Sequence, residues 1–192
     1  KEYRRQRQMC IRDRLVERCN PDLVAEVLNV ALAPGYDILA VVEARTSDFV
    51  ARLEASHWKI ELPGTSNQEA SVAIEAFLAS DEVLVERLMK SGPRIFDARS
   101  DVLKMDLISA PQSLPNKDEP GNTETCAILQ VVVRHGTPAV RPDDVLAALT
   151  KVAGLELKNP ARITRIAQGP LCEDGWSVAD PLDADRQMAA TA

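Results

Sequence analysis

The chain has 192 residues, of which 45% are hydrophobic and 4% aromatic, so it can form one or two domains with cores of aliphatic side chains. Its longest apolar runs are too short to cross a bilayer, no N-terminal segment resembles a secretory signal, and its four cysteines form no C-x-x-C pair. We therefore expect a cytoplasmic protein with no membrane contact and with structural thiols.

The charge of the chain is distributed unevenly. The formal net charge is −6, but residues 1–14 contain six Lys or Arg against two Asp or Glu, which leaves −10 for residues 15–192. An acidic body speaks against general affinity for a polyanion, because Lys and Arg supply the charge that neutralises phosphates. A local basic patch remains open.

Residues 1–14 read K-E-Y-R-R-Q-R-Q-M-C-I-R-D-R. A basic arm ordinarily indicates a tail for nucleic acid or membrane. However, M-C-I-R-D-R resembles the conceptual translation of a transposon-end sequencing adapter. We interpret the segment as such an artefact, or otherwise as a disordered arm, and leave it out of the functional argument. On this hypothesis the genuine sequence begins near Leu15 and the natural N-terminal part of the protein is missing.

The first part of residues 15–169 alternates helix and strand signals. Asn20-Pro21-Asp22 predicts a helix start, and the apolar run Tyr36–Ala44 predicts a strand. His57–Leu62 alternates, which predicts a strand with Trp58, Ile60 and Leu62 on one face. Ser66 and Glu69 match a capping box, which begins a helix that extends to about Ala79.

Strand signals dominate the middle of the chain. Apolar runs predict strands at 83–88, 94–98 and 102–108. Residues 110–125 contain three prolines and no periodicity, so we predict a long mobile loop. The following run C-A-I-L-Q-V-V-V-R-H-G predicts a largely buried strand that pairs with 102–108 as a wide hairpin.

The last elements are a helix and a strand. Pro142 suits the first turn of a helix, and Gly154 is placed to end it. Ile163 and Ile166 belong to a short strand that returns to the sheet. Residues 170–192 have no periodicity and predict a disordered tail. The order of elements indicates an α+β fold, with ferredoxin-like layers of helices on one face of a mixed or antiparallel sheet.

Few residues occur in a pattern that indicates catalysis or the binding of a metal or cofactor. The chain has two histidines, His57 and His135, and neither has a Cys or His at ligand spacing. No nucleophile motif or phosphate loop occurs, and acid pairs such as Asp143-Asp144 fit helix ends better than general acid–base work. We therefore predict no catalytic, cofactor-binding or metal-binding residue in this chain.

Arginine is the remaining candidate for a functional role. The simplest interpretation is that the arginine side chains lie on solvated strand edges, where charge discourages aggregation. The alternative is a phosphate- or RNA-contacting rim, although no aromatic residues interleave with the arginines. Arg162 and Arg165 are three apart on a strand, so we expect them to face opposite sides. The candidates for phosphate or RNA contact are Arg94, Arg99, Arg141, Arg162 and Arg165.

Five segments, in order, resemble a known family. They are P-D-L-V-A-E-V-L-N-V-A-L-A-P-G-Y-D-I-L-A-V, A-F-L-A-S-D-E-V-L-V-E-R, I-F-D-A-R, A-V-R-P-D-D-V-L-A-A-L and A-R-I-T-R. Together they are similar to the C-terminal half of the bacterial radical SAM-associated (radical SAM-linked) domain family, over residues 15–170. That domain of unknown function is fused behind a B12-binding radical SAM enzyme or encoded beside one. The family's N-terminal segments of the type F-L-S-H-x-D and G-F-x-P-x-P are absent here.

The resemblance implies an accessory module and supplies no catalytic residues. Because no C-x-x-x-C-x-x-C motif occurs, we expect the iron–sulfur cluster, SAM and cobalamin to be bound by the partner enzyme and not by this chain. The first hypothesis is therefore a non-catalytic partner of a radical SAM protein. Two alternatives remain, namely an RNA-binding module in RNA modification, which the acidic charge disfavours, and a fragment of an enzyme whose active site lies in the missing N-terminal half.

Overall fold

The structure is a computed structural model that describes residues 19–45, 49–89, 92–108, 113–115 and 123–190. The basic arm at 1–14 and most of the proline-rich loop at 110–125 lie outside the described residues. Two compact units make up the chain, one of residues 1–47 with 184–192 and the other of residues 48–183. The larger unit contains the sheet and the core, and the smaller contains the first helix.

The helices and strands follow the predicted order closely. A three-residue 3₁₀ turn at Val50–Arg52 precedes the first strand. The helices are α1 (Pro21–Ala31), α2 (Asn67–Leu78), α3 (Pro142–Ala153) and α4 (Asp183–Ala190). The strands are β1 (Ala55–Pro63), β2 (Leu84–Met89), β3 (Gly92–Asp97), β4 (Val102–Leu107), β5 (Ser113–Pro115), β6 (Thr123–Arg134) and β7 (Arg162–Gly169).

The main sheet is antiparallel, with the strand order β4-β6-β1-β7, and β5 pairs with the start of β6. Strands β1 and β4 both run antiparallel to β6 between them, and β6 and β7 both run antiparallel to β1. Two interlocked strand–helix–strand units, β1-α2-β4 and β6-α3-β7, therefore form the sheet. This topology confirms the predicted α+β fold with ferredoxin-like layers.

The core lies between one face of the sheet and helices α2 and α3. Alternation along β1 places Ile60 and Leu62 on this face, and Phe77 of α2 and Leu149 of α3 pack against them, all four almost fully buried. The capping box predicted at Ser66 begins α2, since Ser66 Oγ accepts from the N–H of Glu69 at 3.2 Å and the Glu69 carboxylate accepts from the N–H of Ser66 at 2.7 Å. Gly154 ends α3 with a left-handed φ of 65°.

Strands β2 and β3 form a separate hairpin between α2 and β4. Val85 and Phe96 of this hairpin belong to the core, whereas Leu88 and Ile95 are 82% and 63% exposed. The hairpin therefore extends the helical side of the domain and presents an apolar outer surface.

Three segments differ from the sequence expectation, and one is the predicted loop 110–125, which contains β5 and the start of β6. Tyr36–Ala44 is not a strand, because Ile38 satisfies both of its backbone groups with the side-chain amide of Asn29, at 2.7 and 3.2 Å, in place of a neighbouring strand. The segment predicted as a tail is ordered over 170–190, where Leu171 and Val178 form an antiparallel bridge and α4 follows. The carboxylate of Asp174 stabilises this loop by accepting from the N–H groups of Trp176 and Ser177.

Candidate functional site

A cleft of about 390 Å³ opens on the helical side of the sheet, where β1, β6 and β7 meet the beginning of α3. Its volume is within the range of small-molecule sites in proteins. Side chains from all four elements and the connection before α3 reach it. The lining residues are Ser56, Trp58, Val133, His135, Ala139, Val140, Arg141, Pro142, Asp143, Ile163, Arg165 and Gln168.

Arg165 is held in a fixed position on one wall of the cleft. It pairs across the sheet with Trp58, and its guanidinium carbon lies 4.7 Å from the centre of the indole ring. A guanidinium over an indole face gains a cation–π attraction. One of its nitrogens also donates to the side-chain oxygen of Gln168. The remaining N–H groups of Arg165 are available at the cleft.

The lining of the cleft also includes a polar pair, Ser56 and His135. His135 Nδ1 lies 2.6 Å from the carbonyl oxygen of Leu53, so Nδ1 carries the proton and donates it. In the neutral ring Nε2 then accepts from the Ser56 hydroxyl, at 2.8 Å. These distances suit a nucleophile and its base, but Ser56 is only 2% exposed. Burial restricts a substrate's access to its oxygen, so we assign the pair a structural role.

A buried ion pair fixes the helix that closes the cleft. Arg87 of β2 contacts both carboxylate oxygens of Asp144, at 3.1 and 2.7 Å. Asp144 also accepts from the backbone N–H of Arg141 at 2.7 Å, and Arg87 donates to the carbonyl oxygen of Ala139 at 2.8 Å. Phe96 lies beneath the guanidinium at 4.7 Å. The pair thus joins the hairpin to the first turn of α3.

Asp101 borders the same end of the sheet. It packs against Gly136, where a Cβ atom would overlap its carboxylate. Burial raises the pKa of Asp101, and the nearby positive charge of Arg134 opposes that rise. On the other face of the sheet, burial and the charge of Lys104 lower the pKa of His57. His57 does not line the cleft, because alternation along β1 places it on the face opposite Ser56 and Trp58.

The five candidate arginines do not form one patch. Arg141 and Arg165 line the cleft together. Arg162 lies opposite Glu61, on the outer face of the sheet, so the prediction that Arg162 and Arg165 face opposite sides is consistent with the strand register. Arg94 is exposed on the hairpin, opposite Arg87. Arg99 is bonded within the turn before β4.

Arg99 supports the turn before β4. It donates to the carbonyl oxygen of Val102 at 3.0 Å and lies over the ring of Phe77 at 5.7 Å. The surrounding turn is held by Asp97, whose carboxylate accepts from the N–H groups of Val83, Arg99 and Ser100. These bonds lower the pKa of Asp97 against the effect of its burial. A structural role therefore accounts for Arg99.

The part of the chain that the structure describes contains no group of three His, Cys, Asp or Glu side chains placed to bind a metal ion. None of its helices has the length and apolar character needed to cross a bilayer. The predicted lack of metal and cofactor residues stays a prediction.

The sequence did not indicate the cleft as a unit. Ser56 and His135 are 79 positions apart, and the strand register that joins them is not visible in the composition of either strand. The one available signal was the alternation in β1, which predicted that Trp58 faces the core side. Arg165 could then be assigned to that side only once its partner strand was known.

The fold and the cleft together define a ferredoxin-like α+β domain with a cationic, tryptophan-backed cleft. A family model described as "Uncharacterized protein conserved in bacteria (DUF2344)" matches residues 10–142, and the chain belongs to this family. The match ends at the first residue of α3, so it includes Arg141 but not Arg165. No curated protein matches the chain. No solved structure matches it either.

Proposed function

We propose that this chain is a non-catalytic accessory module of a B12-binding radical SAM enzyme, to which it is fused or beside which it is encoded. On this proposal the iron–sulfur cluster, SAM and cobalamin belong to the partner enzyme, and both proteins act in the cytoplasm. The chain would position a substrate or a segment of the partner.

The observation that carries the proposal is the resemblance of five segments, together with the place of four of them in the fold. The second segment ends at Arg87, the third contains Phe96, and the fourth contains Asp144; these three side chains form the ion pair and its aromatic support. The fifth segment supplies Arg165 to the cleft. Three of the five segments therefore meet at the Arg87–Asp144 ion pair, and the fifth segment lines the cleft.

The test is direct binding between the purified chain and the radical SAM protein encoded with it, reconstituted without oxygen. We expect co-elution in size-exclusion chromatography and a changed rate of SAM cleavage when the chain is added. No complex, together with an unchanged rate, would contradict the proposal.

A charged residue introduced on the hairpin surface tests whether the hairpin contacts the partner enzyme. Protein interfaces have apolar centres, and Leu88 is the most exposed apolar side chain of the hairpin. We expect Leu88→Glu to weaken the complex at least tenfold if β2 and β3 form the contact. Val72→Glu is the matched control, because Val72 is also exposed, at 51%, but lies on α2.

The two other hypotheses gain no specific support from the geometry. An RNA-binding rim required Arg94, Arg99, Arg162 and Arg165 on one face, and β7 directs the last two to opposite faces. An active site in a missing N-terminal half concerns residues outside this chain. Both stay predictions.

A further inference from the structure

The lining of the cleft includes two arginines, Arg141 and Arg165. Within the described residues, neither Arg141 nor Arg165 forms an ion pair, whereas Arg87 is paired with Asp144. One carboxylate, that of Asp143, lines the cleft beside the two guanidinium groups. Two arginines against one aspartate leave the lining of the cleft with an excess of one positive charge.

This excess charge lies in a molecule whose net charge is −6. Electrostatics of the whole chain would not concentrate cations at this point, so the local arrangement needs its own explanation. A solvated strand edge explains Arg162 and Arg94, which lie on an outer face and on the hairpin. It does not explain why Arg165 is packed on Trp58 inside a concave surface.

Contacts within the domain hold Arg165 and the Ser56–His135 pair in place, and at Arg141 they hold the backbone. Trp58 and Gln168 fix the guanidinium of Arg165, and Asp144 fixes the backbone at Arg141. The Ser56–His135 pair is fixed by the carbonyl oxygen of Leu53. Such fixed donors bind an anion at a lower entropic cost than free side chains do.

We propose that this cleft binds a small organic ligand through an oxyanion group, either a carboxylate or a phosphate. A guanidinium presents parallel N–H groups whose geometry matches both of these anions. The volume of about 390 Å³ leaves room for an organic body beside the charged group. The inference does not depend on a radical SAM partner, since it concerns this chain alone.

The experiment uses site-resolved NMR titration of the full chain with inorganic phosphate and, separately, with acetate, at constant ionic strength. Site-resolved shifts are needed because phosphate also stabilises proteins by exclusion from their surface. We expect saturable shifts at the amides of Arg141, Arg165 and Gln168. Saturation by phosphate alone identifies a phosphate ligand, and saturation by acetate alone identifies a carboxylate ligand.

Three variants and a control decide whether the arginines bind the anion. Arg165→Ala should weaken binding at least tenfold, and Arg165→Lys should weaken it less, because lysine keeps the charge but loses the paired donors. Arg141→Ala, at an exposed position, should also weaken binding and protects the test against misfolding of the first variant. Arg162→Ala, on the same strand but the opposite face, should leave binding unchanged.

Either of two results would overturn the proposal. One is the absence of saturable shifts at the cleft with both anions. The other is an equal loss of binding in Arg162→Ala and Arg165→Ala, which would show general attraction to strand charges. If the chain binds the anion but forms no complex with the radical SAM protein, only the accessory function is contradicted.

Discussion

At the residue scale, the Arg87–Asp144 ion pair is largely withdrawn from solvent, with side chains 15% and 8% exposed. Removing one partner of a buried pair leaves an uncompensated charge, which costs about 3–5 kcal/mol. We expect Asp144→Ala to lower the free energy of unfolding by about 3 kcal/mol, because Asp144 also caps α3 through the N–H of Arg141. Urea denaturation followed by circular dichroism measures this loss.

An exposed pair provides the control for that experiment. Lys104 and Asp106 lie 3.2 Å apart and are 38% and 55% exposed. Surface pairs contribute about 0–1 kcal/mol, so Asp106→Ala should change the free energy of unfolding by less than about 1 kcal/mol. Equal losses in the two variants would show that Arg87 and Asp144 are not a structural pair.

The capping box of α2 gives a prediction about pH. Hydrogen bonds from the backbone N–H and then the hydroxyl of Ser66, with a smaller effect of Lys158, lower the pKa of Glu69 from 4.5 to about 2. Because the folded-state pKa is the lower one, the stabilisation is complete above pH 4.5 and is lost as the pH falls toward 2. We expect Ser66→Ala to raise the pKa of Glu69.

Carbon-13 NMR titration of the Glu69 carboxyl group measures this pKa directly. Ser66→Thr is the matched control, since threonine keeps the hydroxyl and caps helices nearly as well. It should leave the low pKa in place. A pKa of Glu69 that is the same in Ser66→Ala as in the unaltered chain would contradict the assigned cause.

At the element scale, Gly169 joins β7 to the loop at 170–180. A Cβ atom at this position would overlap the carbonyl oxygen of Ala179, which belongs to the backbone and cannot turn aside. We expect Gly169→Ala to cost about 1–3 kcal/mol, as overpacking does, and to displace the loop from the strand. Hydrogen exchange at the amides of Cys172 and Ala179, which bond within this loop, should become faster.

Gly154→Ala separates this contact from backbone strain. A Cβ atom at Gly154 meets nothing within 4 Å, but its φ of +65° disfavours alanine. The substitution should cost about 1 kcal/mol without changing hydrogen exchange in the loop at 170–180. Faster exchange there in both variants would indicate general destabilisation.

The elements that the sequence predicted correctly are those whose signals are local. The Ser66 capping box, the glycine end of α3 and the alternation in β1 each depend on neighbouring residues. Tyr36–Ala44 was predicted wrongly as a strand because an apolar run is not sufficient; a strand also needs a partner. The cleft was not predicted, because it depends on the pairing of β7 with β1 and on Arg87 reaching across 57 positions to Asp144.

At the scale of the whole molecule, the acidic net charge and the basic cleft are compatible. Charges beyond a Debye length of about 8 Å are largely screened at physiological salt, so distant carboxylates do not cancel the field of Arg141 and Arg165. The net charge of −6 speaks against general affinity for a polyanion. It could not predict a local excess of one positive charge, which requires the three-dimensional register of the strands.

The division of the chain into two units gives the last prediction. The buried core cluster extends from Ile60 to Leu155, entirely within residues 48–183. A chain of residues 48–183 should therefore unfold cooperatively. Trp58 and Trp176 are the two tryptophans of the protein, so fluorescence in urea reports on this unit alone.

A chain of residues 48–160 lacks β7, which exposes an edge of β1 beside Trp58. We expect its transition to be broad, and a gradual transition in the longer chain as well would show that the unit does not fold alone.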